Sequence, residues 1–440
     1  MTSTTTVRIL QIGDIHYPSA TTSRPSADLK RDAFDISGEI APEGARFQKI
    51  TQTLSQYTSG YFHGIVFMGD YTTGSPNVSS QLAGLTSCLD YVQRNILSPL
   101  LGKDSRVKAL FVPGNHDVDR TRCPTTPDTR SSKFEHYVNT LGALGHKNIS
   151  GDTVSRVSLT VDDSEVILYG LNSCLGCGEY MSFPEKTKAD LAAQLADLFK
   201  RGVSEVAENI ITDFFDLTEQ LDAPVIDGAT LHELDLQLEK CSRRPDAVQI
   251  VVGYHSLLPQ PIPRVAPFSE LVNSGELRAF LSTKETPIVY LHGHIHQNPI
   301  EIVYSQERPD SCVISISAPE FSSGYNILEV EFDENGVPLG IVVIPIRQDG
   351  LGKISKPSPR KIPFRQGKHR IAAITELARE IFYKTFSANS QFHFNELCKA
   401  YSSAQAEAVE RAVVELEWLG LVEIANRHRK PEQWNIRSAV

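Results

Sequence analysis

The sequence carries five short polar clusters, each closing an apolar run. "GDIH" holds Asp14 and His16, "MGDY" holds Asp70, and "GNHD" holds Asn115 and His116. "GYHS" holds His255 and "GHIH" holds His294 and His296. Together they supply two carboxylates, one amide oxygen and several imidazoles. Mixed nitrogen and oxygen donors suit a pair of divalent first-row transition ions, which need no thiolate. If two such ions sit about 3.5–4 Å apart, one carboxylate must bridge them. Taken singly, each cluster has a plainer reading. An aspartate after glycine caps a turn or a helix, Asn115 suits a left-handed turn, and an isolated His255 suits an interior.

Two neighbouring features stand apart. His292 precedes the glycine of "HGHIH", so three histidines alternate there, and spacing alone leaves open which of them could hold a metal. Cys174 and Cys177 form one "CLGC". A structural zinc site needs four ligands, and no second pair is suitably spaced, so these read as two ordinary cysteines.

The clusters need elements to hold them. "VRILQIGDIH", "HGIVFMGDY", "VKALFVPGNHD", "AVQIVVGYH" and "TPIVYLHGHIH" share one form: a short run rich in β-branched residues that stops at glycine or proline. Such runs read as fully buried strands. Helical stretches such as "GARFQKITQTLSQY" and "SSQLAGLTSCLDYVQRNIL" lie between some of them, which is α/β alternation. Sites in such folds gather at the carboxyl ends of strands, where all five clusters fall.

The five motifs in this order resemble the calcineurin-like metallophosphoesterase family over roughly residues 7 to 346. The resemblance implies an α/β four-layer α/β/β/α sandwich with a dinuclear site between its sheets. It implies that Asp14, His16 and His296 hold one ion, that Asn115, His255 and His294 hold the other, and that Asp70 bridges them. His116 is implied as the catalytic residue that protonates the leaving oxygen or stabilises charge on the phosphate. Two divalent ions are expected, Mn2+ first, with Fe, Zn2+ or Ni2+ compatible with the same donors. They would neutralise a phosphodiester and acidify a bridging water as nucleophile. One departure stands out. Many members carry two histidines where this chain has "GYHSLLP"; Tyr254 fills the first place and His255 the second, which aligns with the ligand.

Beyond the motifs, 40% hydrophobic and 22% charged residues exclude a disordered chain. Residues 1–346 are expected to form the metallophosphoesterase domain, with 174–245 as a helical insertion or cap. Residues 347–370 carry eight basic residues and one acid and read as a basic linker. Residues 371–440 run long helix, short helix, third helix, then a two-stranded ribbon through "LEWLGLVE" and "QWNIR", which resembles a small α+β winged-helix domain. The net charge of −10 does not mark the whole molecule as a polyanion binder. The last hundred residues reverse that sign, with 16 basic against 10 acidic.

The expected activity is therefore hydrolysis of a nucleotide-type phosphodiester. The alternatives are a nuclease whose winged helix holds DNA or RNA, and a regulatory or assembly protein with a vestigial metal site. Residues 347–440 are the expected surface for a nucleic acid, a protein partner or a second copy. Seven cysteines, no apolar leader in "MTSTTTVRIL" and no apolar stretch of ~18 residues give the expectation of a cytoplasmic protein that crosses no membrane.

Overall fold

The computed structural model describes residues 5–17, 43–72, 78–101, 108–119, 122, 132–151, 153–178, 223–242, 247–259, 270–284, 288–297, 299–304, 312–332, 336, 338–364, 375–386, 390–427 and 429–439. The first half alternates strands and helices: β1 (Thr5–Gly13), α1 (Glu43–Leu54), β2 (Gly64–Met68), α2 (Val78–Val92), β3 (Lys108–Val112) and α3 (Glu135–Ala143). A hairpin follows, β4 (Ser155–Val161) and β5 (Ser164–Gly170), then α4 (Gly228–Ser242), β6 (Ala247–Val252), α5 (Ser274–Ser282) and β7 (Ile288–His292). Strands β8 (Ile300–Tyr304), β9 (Cys312–Ser317), β10 (Gly324–Phe332), β11 (Pro338–Gln348), β12 (Ile354–Ser355) and β13 (Arg360–Pro363) close this part. Last come α6 (Glu376–Ile381), β14 (Gln391–His393), α7 (Phe394–Ala400), α8 (Ala406–Trp418), β15 (Val422–Ala425) and β16 (Asn435–Ser438).

Two sheets face each other. One has the order β12-β11-β10-β1-β2-β3, with β13 also on β11; the other has the order β4-β5-β6-β7-β9-β8. Alternate residues of each strand point to opposite faces, and the sequence supplies apolar groups for both. Val66 and Met68 of β2 face the second sheet and meet Ile250, Val252, Val289 and Leu291. Ile65 and Phe67 face outward under α1 and α2, with Phe47, Ile50, Leu54 and Leu89. Tyr290 and Val251 of the second sheet pack under α4 and α5, with Leu234, Leu238, Leu277 and Leu281. The result is the four-layer α/β/β/α arrangement. Strands covered on both faces have no polar side to show, which is why their runs are continuous.

Several elements differ from their sequence-based expectations. Within residues 312–346, β10 and β11 pair antiparallel, whereas β9 pairs parallel with β7 and antiparallel with β8. Residues 179–222 of the expected insertion lie outside the described residues, as do 365–370 of the expected linker. The rest of that linker is not a bare tether: β12 and β13 both pair with β11. Edge strands tolerate charge on their open side, so a basic composition hides them. The C-terminal sheet has three strands, β14-β16-β15, because Gln391–His393 pairs with β16. Among the described residues, no helix is long and apolar enough to cross a membrane.

The C-terminal unit packs on the edge of the first sheet. Its apolar cluster, including Val413, Leu416 and Trp418, takes in Val342 of β11. Lys361 of β13 donates to Glu417 at 3.1 Å and lies 5.2 Å from the Trp418 ring centroid. The contact needs glycine at 340. A Cβ there would lie 2.5 Å from the Ile362 carbonyl oxygen and 2.6 Å from the Trp418 ring. Gly340→Ala is expected to cost about 1–3 kcal/mol through overpacking, read as a lower urea midpoint. An unchanged midpoint would show that this interface yields freely.

Candidate metal centre

Strand register brings the clusters together. Gly13 pairs beside Met68 and Met68 beside Val112, so Asp14, Asp70 and Asn115 leave one sheet at one edge. In the other sheet Val252 pairs beside Leu291, and Gly293 N donates to Tyr254 O at 3.0 Å. The two edges are tied across the gap by the Asp14 carboxylate, which accepts from His294 N at 2.9 Å.

The chain turns sharply at each strand end. His16, Asp70, His294 and His296 have φ of 43°, 47°, 67° and 52°. Left-handed backbone at a non-glycine residue costs on the order of 1–3 kcal/mol and persists only where the surroundings hold it. Hydrogen bonds hold it here: His16 N donates to Asp70 O at 2.8 Å, and His116 N donates to Asp70 Oδ1 at 2.9 Å. Glycine permits the close approach. A Cβ on Gly114 would lie 2.0 Å from Asp70 Oδ1.

The predicted residues converge. The donor atoms of Asp14, His16 and His296 all lie within 4.8 Å of one another, with the two Nε2 atoms 3.3 Å apart. On the other side the His255 and His294 rings stand 4.7 Å apart, and Asn115 is buried in the turn Asn115–Asp117. His255 Nδ1 faces Ser173 Oγ at 3.0 Å, so Nε2 is its remaining ring donor. His116 Nε2 lies 3.7 Å from Asp70 Oδ2, with a side chain 23% exposed. With His294 and His296 it is one of three histidines of this set that are only partly buried. His292 is buried against Tyr290, with ring centroids 5.9 Å apart, on the face away from the cluster.

Charge explains what the centre lacks by itself. Burial drives the Asp70 carboxyl up to about 6; His116 opposes this and Asp14 adds to it. Burial also works against the Asp14 carboxylate, but His296, His16 and the Tyr254 hydroxyl outweigh it and hold that group below the usual range. Two buried carboxylates sharing one tyrosine hydroxyl make a site that attracts positive charge. Divalent cations would supply it, and the nitrogen and oxygen donors fit them.

Sequence reasoning missed several supports. Asp117 closes the "GNHD" turn, accepting from Gly114 N at 2.8 Å and Tyr71 N at 3.1 Å. Ser173 Oγ accepts from Tyr254 N at 3.0 Å and His255 N at 3.2 Å. Lys133 is fully buried and donates to the carbonyls of Leu175 and Cys177 at 2.6 and 2.8 Å. That anchor sets Cys174 and Cys177 against His255, their donor atoms within 4.8 Å of one another. Asp117 had a signal in its motif. Lys133, a single lysine in "SSKFEHYV", had none.

The sequence profile described as calcineurin-like phosphoesterase matches residues 7–298. The chain belongs to this family. Similar solved structures include a putative 5'-nucleotidase from Staphylococcus aureus, at 14% identity and a TM-score of 0.38, covering 83% of this chain and 55% of that one. The NAD nucleotidase of Haemophilus influenzae gives 13% identity and a TM-score of 0.38, covering 81% and 54%. The calcineurin-like phosphoesterase YfkN of Bacillus subtilis gives 10% and 0.34, covering 81% and 90%. The chain thus spans about half the length of the two nucleotidases. No curated protein matches it. Membership implies divalent metal ions, and Asp14, His16 and His296 form one group able to hold one.

His292 gives a pH test of this packing. Burial lowers it from 6.5 to about 4, so the fold accepts its neutral form. Its contribution is fully present above about 6.5 and is lost as pH falls through about 4. That difference corresponds to about 3 kcal/mol. The stability gap between wild type and His292→Gln should therefore shift by about that amount, in favour of the variant, between pH 7.5 and 4. Urea denaturation across the range reads it, and parallel pH profiles would contradict it.

Proposed function

We propose that this chain is a dinuclear metal-dependent phosphodiesterase acting on a nucleotide-type substrate. The observation that carries this reading is that strand ends of two sheets bring the other six candidate donors toward Asp70. Asp14, His16 and His296 would hold one ion, Asn115, His255 and His294 the other, and Asp70 both. When bound, the ions supply charge neutralisation at the phosphate and an acidified water.

The protein's own groups do the rest. Buried carboxylates and imidazoles are fixed by backbone hydrogen bonds, so they need no rearrangement when charge develops. His116 is only partly buried, and its ring lies 3.7 Å from the Asp70 carboxylate. A protonated His116 can donate to the departing alkoxide, an effect worth roughly 10²–10⁴-fold.

One feature supports a small substrate. The C-terminal unit meets β11 near Gly340, whereas the end of β11 beside the metal centre is Arg347, which pairs with Gly324. That is roughly 20 Å along the strand, which favours a role for this unit away from the reacting phosphate. Its order of helix, strand, helix, helix, strand, strand supports the winged-helix-like reading.

His116→Ala is expected to keep its Mn2+ content. Its kcat should fall by roughly 10²–10⁴-fold on a diester with an alkoxide leaving group, and far less on a nitrophenyl ester, whose leaving group needs no proton. Equal losses on both esters would contradict the proton-donor role. Activity confined to polynucleotides, falling steeply with salt, would favour the nuclease reading instead.

A further inference from the structure

Tyr254 stands where many relatives carry the first of two histidines. It is fully buried, and its ring passes so close to Gly69 that a Cβ there would lie 2.7 Å from it. Its hydroxyl lies 2.7 Å from Asp14 Oδ1, contacts Asp70 Oδ2, and lies 3.3 Å from His294 Nδ1. One phenol oxygen is thus surrounded by three groups given above to the two ions.

Without a cation, burial and the two carboxylates push the phenol well above its usual range, so it keeps its proton. A tyrosine hydroxyl has one proton to donate, and here two carboxylates compete for it. The arrangement also suits a coordination sphere. With metal–ligand bonds of about 2.0–2.2 Å, neighbouring donors on one ion stand about 3 Å apart, close to the spacing around this oxygen. Replacing the shared proton by a divalent cation would satisfy the phenol oxygen, both carboxylates and the imidazole together.

The geometry points to Tyr254 as a further ligand of the metal centre, its phenolate oxygen binding alongside Asp70 and His294. The phenol proton leaves to solvent as metal enters, as it does for other acidic ligands. An added oxygen donor shifts preference away from Zn2+ and toward Mn2+ and iron. With Asp14 and Asp70, the phenolate brings the ligand charge to three, so two divalent ions leave one net positive charge before the acidified water ionises. This inference rests on the metal-centre reading proposed above.

The test uses the full chain, stripped of metal and titrated with Mn2+ and, separately, Zn2+. Metal content and the ultraviolet difference signal of a phenolate are read together, for wild type, Tyr254→Phe and Tyr254→His. Wild type is expected to bind metal with a phenolate signal that tracks occupancy. Tyr254→Phe should give no such signal and bind at least about tenfold more weakly. Tyr254→His should recover affinity without the signal, and its Zn2+ preference over Mn2+ should rise. Iron-loaded, air-oxidised wild type should show a visible phenolate-to-iron band that Tyr254→Phe lacks. Full metal uptake by wild type and Tyr254→Phe, with no phenolate signal in either, overturns the ligand role and leaves the metal centre standing. No metal uptake by wild type overturns both.

Discussion

Asp14 and Asp70 are both removed from solvent, with one tyrosine hydroxyl between them. Like charges this close in a low-dielectric interior repel strongly and lose their hydration. The chain places them there by spending its whole architecture on it. Two sheets press their inner faces together, parallel strands stop in register, and four candidate donors sit on left-handed backbone. Gly114 leaves the space that Asp70 needs. The buried carboxylates and the left-handed turns are unfavourable alone, and the apolar packing of the two sheets offsets their cost. Together they make an anionic pocket whose natural complement is divalent cations.

The same demand shapes what surrounds the pocket. Asp117 holds the "GNHD" turn from below, Ser173 orients the Tyr254–His255 backbone, and the Lys133 ammonium fixes the Leu175 and Cys177 carbonyls. Each is a buried polar group whose role is to fix another group in place. A catalytic centre that must not reorganise when charge develops depends on such supports. The C-terminal unit stands apart from this machinery. It seals the first sheet's outer edge through Trp418.

Much of this was legible in the sequence, for a physical reason. Strands buried on both faces must be apolar throughout, and residues that hold a metal must end them abruptly, so "IVFMGD" and "IVYLHGHIH" announce both strand and site. His292 lies on the face of β7 that carries Tyr290, the two rings 5.9 Å apart, a placement that alternation along the strand makes legible. What escaped depends on contacts far apart in sequence. Tyr254 reaches Asp14 across 240 residues, and no local pattern reveals where its hydroxyl ends. β13 hides in a basic segment because an edge strand needs no apolar outer face. Cys174 and Cys177, read as ordinary, lie against His255 in a loop held by contacts distant in sequence, Lys133 and Pro113 among them.

The central claim is that Asp70 is the shared ligand of two ions. Anomalous diffraction from crystals grown with Mn2+, collected at the manganese edge, tests it directly. The account predicts two peaks about 3.5–4 Å apart, one beside His16 and His296, one beside Asn115 and His294, with the Asp70 carboxylate between them. A single peak, or a peak seated among Cys174, Cys177 and His255 in place of the second, would contradict it.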